Sequence, residues 1–182
     1  MAIVTLADTK AQLGISADDT RDDTELLGYV DAAAAAVEKE TGRVVERRTF
    51  TDQVLVGRPR RTILLPHVPV AELISLVSVD GYAWDVSAGA AVVDADSGAV
   101  TVVTGPPLSG TLVAVYEAGP AVVAPNDRLA ALIIIQHLWQ TQRGTMGIQL
   151  GGDSEGGYVP GRGFAIPRRA QELLANQLPG VA

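Results

Sequence analysis

Between residues 22 and 42, Leu26, Val30, Ala33 and Val37 fall on one stripe at helical spacing, while Asp31 and Glu38 lie on another face. This periodicity predicts an amphipathic helix. Asp22 is placed to cap it, with Glu25 completing a capping box, and Gly42 is placed to stop it. A shorter helix is predicted over residues 5–14, capped by Thr5 with Asp8 three residues on and ended by Gly14. From Arg43 to Glu117 the period changes. VVERRTFTDQVLV, TILLP, LISLVSVDG, AAVVDADSGAVTVV and GTLVAVYEAG are β-branched segments broken by Gly, Pro and Asp. They predict a compact antiparallel sheet or small barrel-like insertion. Helix returns at Pro125, a residue suited to a first helical turn. Leu129–Ile135 is apolar around the whole circumference. Such a helix must be covered on every side, by its own domain or in part by a neighbouring subunit. FAIPRRAQELLANQLPG closes the chain, with Pro167 opening a last short helix, Pro179 closing it, and Ala170, Leu173, Leu174 and Leu178 as its apolar stripe. The fold class expected is α+β: a small helical bundle, a β-rich insertion and a C-terminal arm.

The segment before that last helix is unusual. Eight of the 21 residues from Arg143 to Gly163 are glycine. A phosphate cradle needs a strand before its glycines and a helix directly after them. Here a helix precedes, so residues 143–163 read as a flexible tether between a domain at 1–142 and a terminal helix at 164–182.

Composition narrows the chemistry. With 182 residues, 47% of them apolar, the chain can bury a sizeable core. It has no cysteine, which removes disulfides, thiolate metal sites and cysteine nucleophiles together. No basic leader or long apolar stretch marks the first ten residues, and the longest apolar run falls well short of the roughly 20 residues that cross a bilayer. A cytoplasmically made protein without a membrane partner is expected. Net charge is −7 but unevenly spread: −6 over residues 1–41, +4 over 42–62, −6 over 63–142 and +1 over 143–182. One reading is a solvated surface. The other is self-complementarity, with Arg43, Arg47, Arg48, Arg58, Arg60 and Arg61 of one copy meeting Asp22, Asp23, Asp31 and Glu38 on the helices of the next. Such a contact is head-to-tail and can close into a ring.

Catalytic patterns are lacking. No serine sits in GxSxG, and there is no G-K-[ST]. His67 and His137 are seventy residues apart and fit no metal spacing; His67, between prolines, reads as an exposed turn, and His137 as the polar edge of a helix. Asp94-Ala95-Asp96-Ser97-Gly98 begins like a calcium loop, but Gly105 stands where the bidentate glutamate belongs, so a hairpin turn is expected. Neither a catalytic residue, a metal nor a cofactor is expected.

The order of segments resembles a known family. A short helix ending LGI, then DDTELLGYVDAAAAAVEKETGR, PVAELISLVSVDG, VAVYEAG and PNDRLAALIII resemble the head–tail connector, or adaptor, proteins of long-tailed bacteriophages, in their longer form with a β-rich insertion. The resemblance covers about half of the chain, from residue 5 to 135. It implies a virion protein of the neck without enzymatic activity, in a ring of twelve beneath the portal protein. Such a ring extends the channel through which double-stranded DNA passes, without reading its sequence, and carries the next neck, stopper or tail protein. It further implies that the C-terminal arm reaches the portal. Phe164, Ile166, Leu173, Leu174 and Leu178 would be its apolar anchors, and Arg162, Arg168 and Arg169 its partners for acidic groups. Each anchor, if fully buried, is worth about 1.5–3 kcal/mol. The alternative for this helix is that it folds back on its own domain. Alternatives for the whole protein are a DNA-binding packaging accessory using the arginine patch, or a stopper or tail-completion component.

Overall fold

The computed structural model describes residues 2–143 and 166–175. The chain forms two compact units. One is helical and is built from residues 2–41 together with the chain from 124 onward; the other is the insertion, 42–123. The α+β class is as the hydrophobic pattern implies, and the insertion is a unit in its own right.

In the helical unit α1 (Leu6–Leu13) begins with the expected capping box. The Asp8 amide donates to Thr5 Oγ1 at 3.1 Å, and Asp8 Oδ2 accepts from the Thr5 amide at 3.0 Å. Gly14 ends the helix at φ 70°, a conformation open to glycine at little cost. Two ion pairs tie α1 to its neighbours. Arg128 Nη2 lies 2.7 Å from Asp8. Lys10, one of the few buried charged residues, places its ammonium 2.6 Å from Asp23 Oδ1 and donates to the Ala17 carbonyl at 3.2 Å. A buried ammonium without such partners would be strongly disfavoured.

Helix α2 (Asp23–Thr41) buries Leu26, Val30, Ala33 and Val37, the stripe read from the sequence, and adds Tyr29, Ala34 and Ala36. Its alanines let α3 (Pro125–Arg143) approach closely. From α3 come Ala130, Ala131, Ile134 and Ile135. The all-round apolar stretch is only partly covered: Leu132 and Ile133 are half-buried and Leu129 is 43% exposed. At the far end Tyr29 meets Trp139 edge-on at 6.4 Å and hydrogen-bonds with Gln142 and Glu25. Helix α4 (Arg168–Leu174) packs against α3 and α2 through Ala170 and Leu174.

The β unit holds two antiparallel sheets. Strands β1 (Arg48–Arg60), β7 (Leu108–Ala118), β3 (Val70–Ser78) and β4 (Ala83–Trp84) form one, in the order β1-β7-β3-β4. Strands β2 (Thr62–Leu64), β6 (Ala99–Val102) and β5 (Ala91–Val93) form the other, in the order β2-β6-β5. A single residue, Arg61, separates β1 from β2, so one nearly continuous strand leaves the first sheet and joins the second. A register shift between Val56 and Arg60 makes that corner. Leu76, Leu108, Leu112, Tyr116, Val100 and Val102 are buried in a core common to both sheets. The expected hairpin turn joins β5 to β6: Asp94 Oδ1 accepts from the Ser97 amide at 2.9 Å and from its hydroxyl.

The unit closes where it begins and ends. Arg48 is opposite Ala118, and Gly119 (φ 109°) lies so close to Glu46 and Arg47 that a Cβ would meet backbone atoms at 2.8–2.9 Å. Gly119→Ala therefore combines a disfavoured φ with a backbone clash and should cost about 2–4 kcal/mol. Gly57→Ala, where a Cβ meets open space, should change stability by no more than about 0.5 kcal/mol. Denaturant unfolding followed by Trp84 emission in a Trp139→Phe background reads both.

The Asp8 carboxyl is held below its ordinary value, first by its bond to the Thr5 side chain, then by the Thr5 amide and by Arg128. A carboxylate with a depressed folded pKa contributes stability above its unfolded value near 3.8 and loses it as pH falls through the folded value. The stability gap between the native chain and Asp8→Asn should thus be full at pH 6 and shrink below pH 4, measured by thermal melting across that range.

Candidate functional site

The arginines grouped by the sequence between 43 and 61 do different jobs. Arg47 Nε donates to Glu117 Oε2 at 2.9 Å, across the first rung of β1 and β7. The Arg48 guanidinium lies 5.0 Å from the centre of the Phe50 ring. Arg61 turns back onto the carbonyls of Val102 and Val103 at 3.3 and 3.4 Å. Arg43 is half-buried. Arg58 and Arg60 stand exposed at the corner between the sheets.

The acidic partners divide similarly. Asp23 is engaged by Lys10, Asp22 and Glu38 are half-buried, and Asp31 is exposed on the outer face of α2. Asp19, drawn down to about 2 chiefly by its bond to the Arg21 side chain, belongs to the acidic link before α2 and is bound within it, at 2.6 and 2.9 Å.

The C-terminal residues named from the sequence are brought together only in part. Arg162, Phe164 and Leu178 lie outside the described residues, as does residue 144 onward of the glycine-rich tether up to 165. Leu174 is buried in the helical unit, Leu173 and Ile166 are half-buried, and Arg168 and Arg169 are exposed, Arg168 bonding Glu172 one turn on at 3.1 Å. In this conformation the helix is seated on its own unit, the alternative the sequence left open, and Leu174 is the anchor.

His67 departs from the exposed turn expected of it. It is half-buried, stacks on Phe50 at 3.9 Å, and places Nδ1 3.0 Å from Asp52 Oδ2 and 2.9 Å from the Tyr116 hydroxyl. Tyr116 spends its one proton on Asp52, at 2.5 Å, so Nδ1 carries the hydrogen and donates. Burial first, and then the Asp52 carboxylate, push the Tyr116 hydroxyl well above the ordinary tyrosine range. This network fastens the loop before β3 to β1 and β7; only the register of β1 against β7, which sets Asp52 near Tyr116, reveals it. Among the described residues no group of three or more His, Cys, Asp and Glu is placed to hold a metal, and no helix is long and apolar enough to cross a membrane.

The outer surface of the second sheet is a further feature. Leu64, Val92 and Val103 are 66, 55 and 60% exposed, and Leu55 on the adjoining β1 is 78% exposed. Apolar surface turned outward to this extent is of the kind that marks a contact face.

Residues 2–174 match the family model for head completion protein (HCP). The chain belongs to the head completion protein family. The connector resemblance of the sequence is consistent with that membership. No curated protein matches the sequence. The fold is similar to chains in three solved assemblies. One is "Neck of empty GTA particle computed with C6 symmetry", at TM-score 0.63 and 18% identity, covering 98% of this chain and 92% of the other. Another is "Virion of native gene transfer agent (GTA) particle", at 0.63 and 19%, covering 94% and 87%. A third is "Neck of native GTA particle computed with C12 symmetry", at 0.59 and 17%, covering 96% and 90%.

The seat of α4 generates a prediction. A seven-residue helix is marginal alone, so its protection comes from what it buries. Leu174→Ala should lower the local opening free energy by about 2–3 kcal/mol, and the amides of Gln171–Ala175 should exchange about 30- to 150-fold faster. Arg169→Ala, at an exposed position, should leave them unchanged. Hydrogen exchange read by mass spectrometry checks both.

Proposed function

We propose that this chain is a non-enzymatic structural protein of the virion neck, a head-to-tail adaptor. Copies form a ring beneath the portal protein, extend the channel through which double-stranded DNA passes, and present a platform to the next neck or tail protein. Family membership over residues 2–174 carries this reading. The neck assemblies with sixfold and twelvefold symmetry in which similarly folded chains are found support the ring. Ring closure by one repeated head-to-tail contact needs two different surfaces on one chain. The exposed corner arginines Arg58 and Arg60 and the exposed acid Asp31 on α2 are of that kind.

On this reading the C-terminal arm engages the portal. Arg168 and Arg169 already point outward, with Ile166 and Leu173 half open. Arg162, Phe164 and Leu178 would add to them once the arm is bound. Each contact is weak after the cost of ordering, but repetition around a ring makes the sum durable.

Removing this gene product should leave filled heads and free tails unjoined, cutting complete particles by several orders of magnitude, and adding the purified chain should join them. Electron microscopy and particle titre read the outcome. Particles that join their tails normally without it would overturn the proposal. A chain that sediments with purified tails but never with purified portal would place it further down the neck, as a stopper or completion component.

A further inference from the structure

The outer face of the sheet β2-β6-β5 carries no charge. Thr62 and Leu64 on β2, Ala99 and Thr101 on β6, Val92 on β5 and Val103 just beyond β6 point outward, opposite the buried Ile63, Val100 and Val102. The Thr62 and Thr101 hydroxyls bond each other at 3.0 Å, so the two polar groups at its centre are already partnered. At the corner with β1 the face runs into a groove of about 470 Å³ lined by Leu55, Arg60, Thr62 and Leu64 among others. Arg58 and Arg60 rim this end. In a chain that is 19% charged, an apolar sheet face of this kind marks a binding surface.

A nucleic acid would require cations across the centre, where there are none. The chain itself carries a better complement. The inward stripe of α2 leaves Leu27, Gly28, Asp31, Ala32 and Ala35 exposed on one outer face. That face is smooth, with open space around Gly28, one large apolar side chain and one acid. From Leu27 to Ala35 is about 12 Å of helix, and three strands span about 10 Å, so two turns of α2 cover the sheet from edge to edge. Leu27 matches the groove at Leu55 and Leu64, and Asp31, one turn on, matches Arg60.

Resting on the adaptor reading above, we infer that the β2-β6-β5 face of one copy is the seat for the outer face of α2 of the next, with Arg60 paired to Asp31. The contact is heterologous: apolar at its centre, charged at its rim. It uses two of the arginine and acid positions picked out by the sequence and supplies the apolar surface that charge alone could not.

The chain has no cysteine, so introduced thiols report without background. The full chain carrying Leu64→Cys and Ala32→Cys together is oxidised both as concentrated purified protein and in assembled particles, and run on non-reducing gels. A ladder of dimers and higher multimers is expected, absent from a chain carrying Val79→Cys with Ala32→Cys, Val79 being equally exposed but on neither face. Adding Arg60→Glu should reduce the ladder at least tenfold, and adding Asp31→Arg with it should restore it. Particles that contain the chain yet yield only monomer overturn this surface and leave the adaptor reading standing. So do dimers from Leu64→Cys alone as abundant as those of the pair, which mean a like-to-like contact, or a charge swap that fails to rescue. Particles that contain no copy of the chain overturn the adaptor reading itself.

Discussion

The architecture of the β unit depends on its two ends being held together. The backbone of Glu46 and Arg47 and the backbone at Gly119 run in contact, and no side chain could stand between them. The first rung of β1 and β7 and the Arg47–Glu117 pair continue the closure. A segment of some eighty residues whose ends are so near can sit between two consecutive helices of another unit without prying them apart. Helices α2 and α3 therefore pack on each other as directly as if a short loop joined them.

Charge is used differently along the chain. Near the ends of the β unit and along α1, ionic groups do structural work: Arg47 with Glu117, Lys10 with Asp23, Arg128 with Asp8. These are short-range and partly sheltered, so salt weakens them less than it weakens open surface pairs. At the corner where β1 passes into β2, Arg61 bonds the Val102 and Val103 carbonyls, whereas Arg58 and Arg60 stand exposed and the apolar surface beside them is left outward.

Much of this was legible in the chain. Period and capping chemistry located α1, α2 and α3 to within about a residue, because Thr5, Gly14, Gly42 and Pro125 are local signals that tertiary structure had no reason to override. The β segments were legible as strands, but not their pairing. Asp52 and Tyr116 are 64 positions apart, so His67 could not be seen as part of a network until register put those two side by side. The outer face of the second sheet was hidden for a like reason: Leu64 on β2, Val92 on β5 and Val103 just after β6 are far apart in sequence and look individually like core residues. The β-branched segment VVERRTFTDQVLV ends at Val56, yet strand β1 continues to Arg60 through a register shift. The arginine cluster was legible as a block of charge, but not the division of labour within it.

The brevity of α4 has a consequence for its occupancy. Among the described residues of the helix, Ala170 and Leu174 are the buried ones, and withdrawing that much apolar surface costs about 2–4 kcal/mol. At 1.4 kcal/mol per factor of ten, the released form is populated about once in thirty to once in a thousand molecules. A receptor that prefers the released form can capture it without disturbing α2 or α3, and pays only this small toll. The segment thus behaves as a latch, shut in the solitary subunit and cheap to lift.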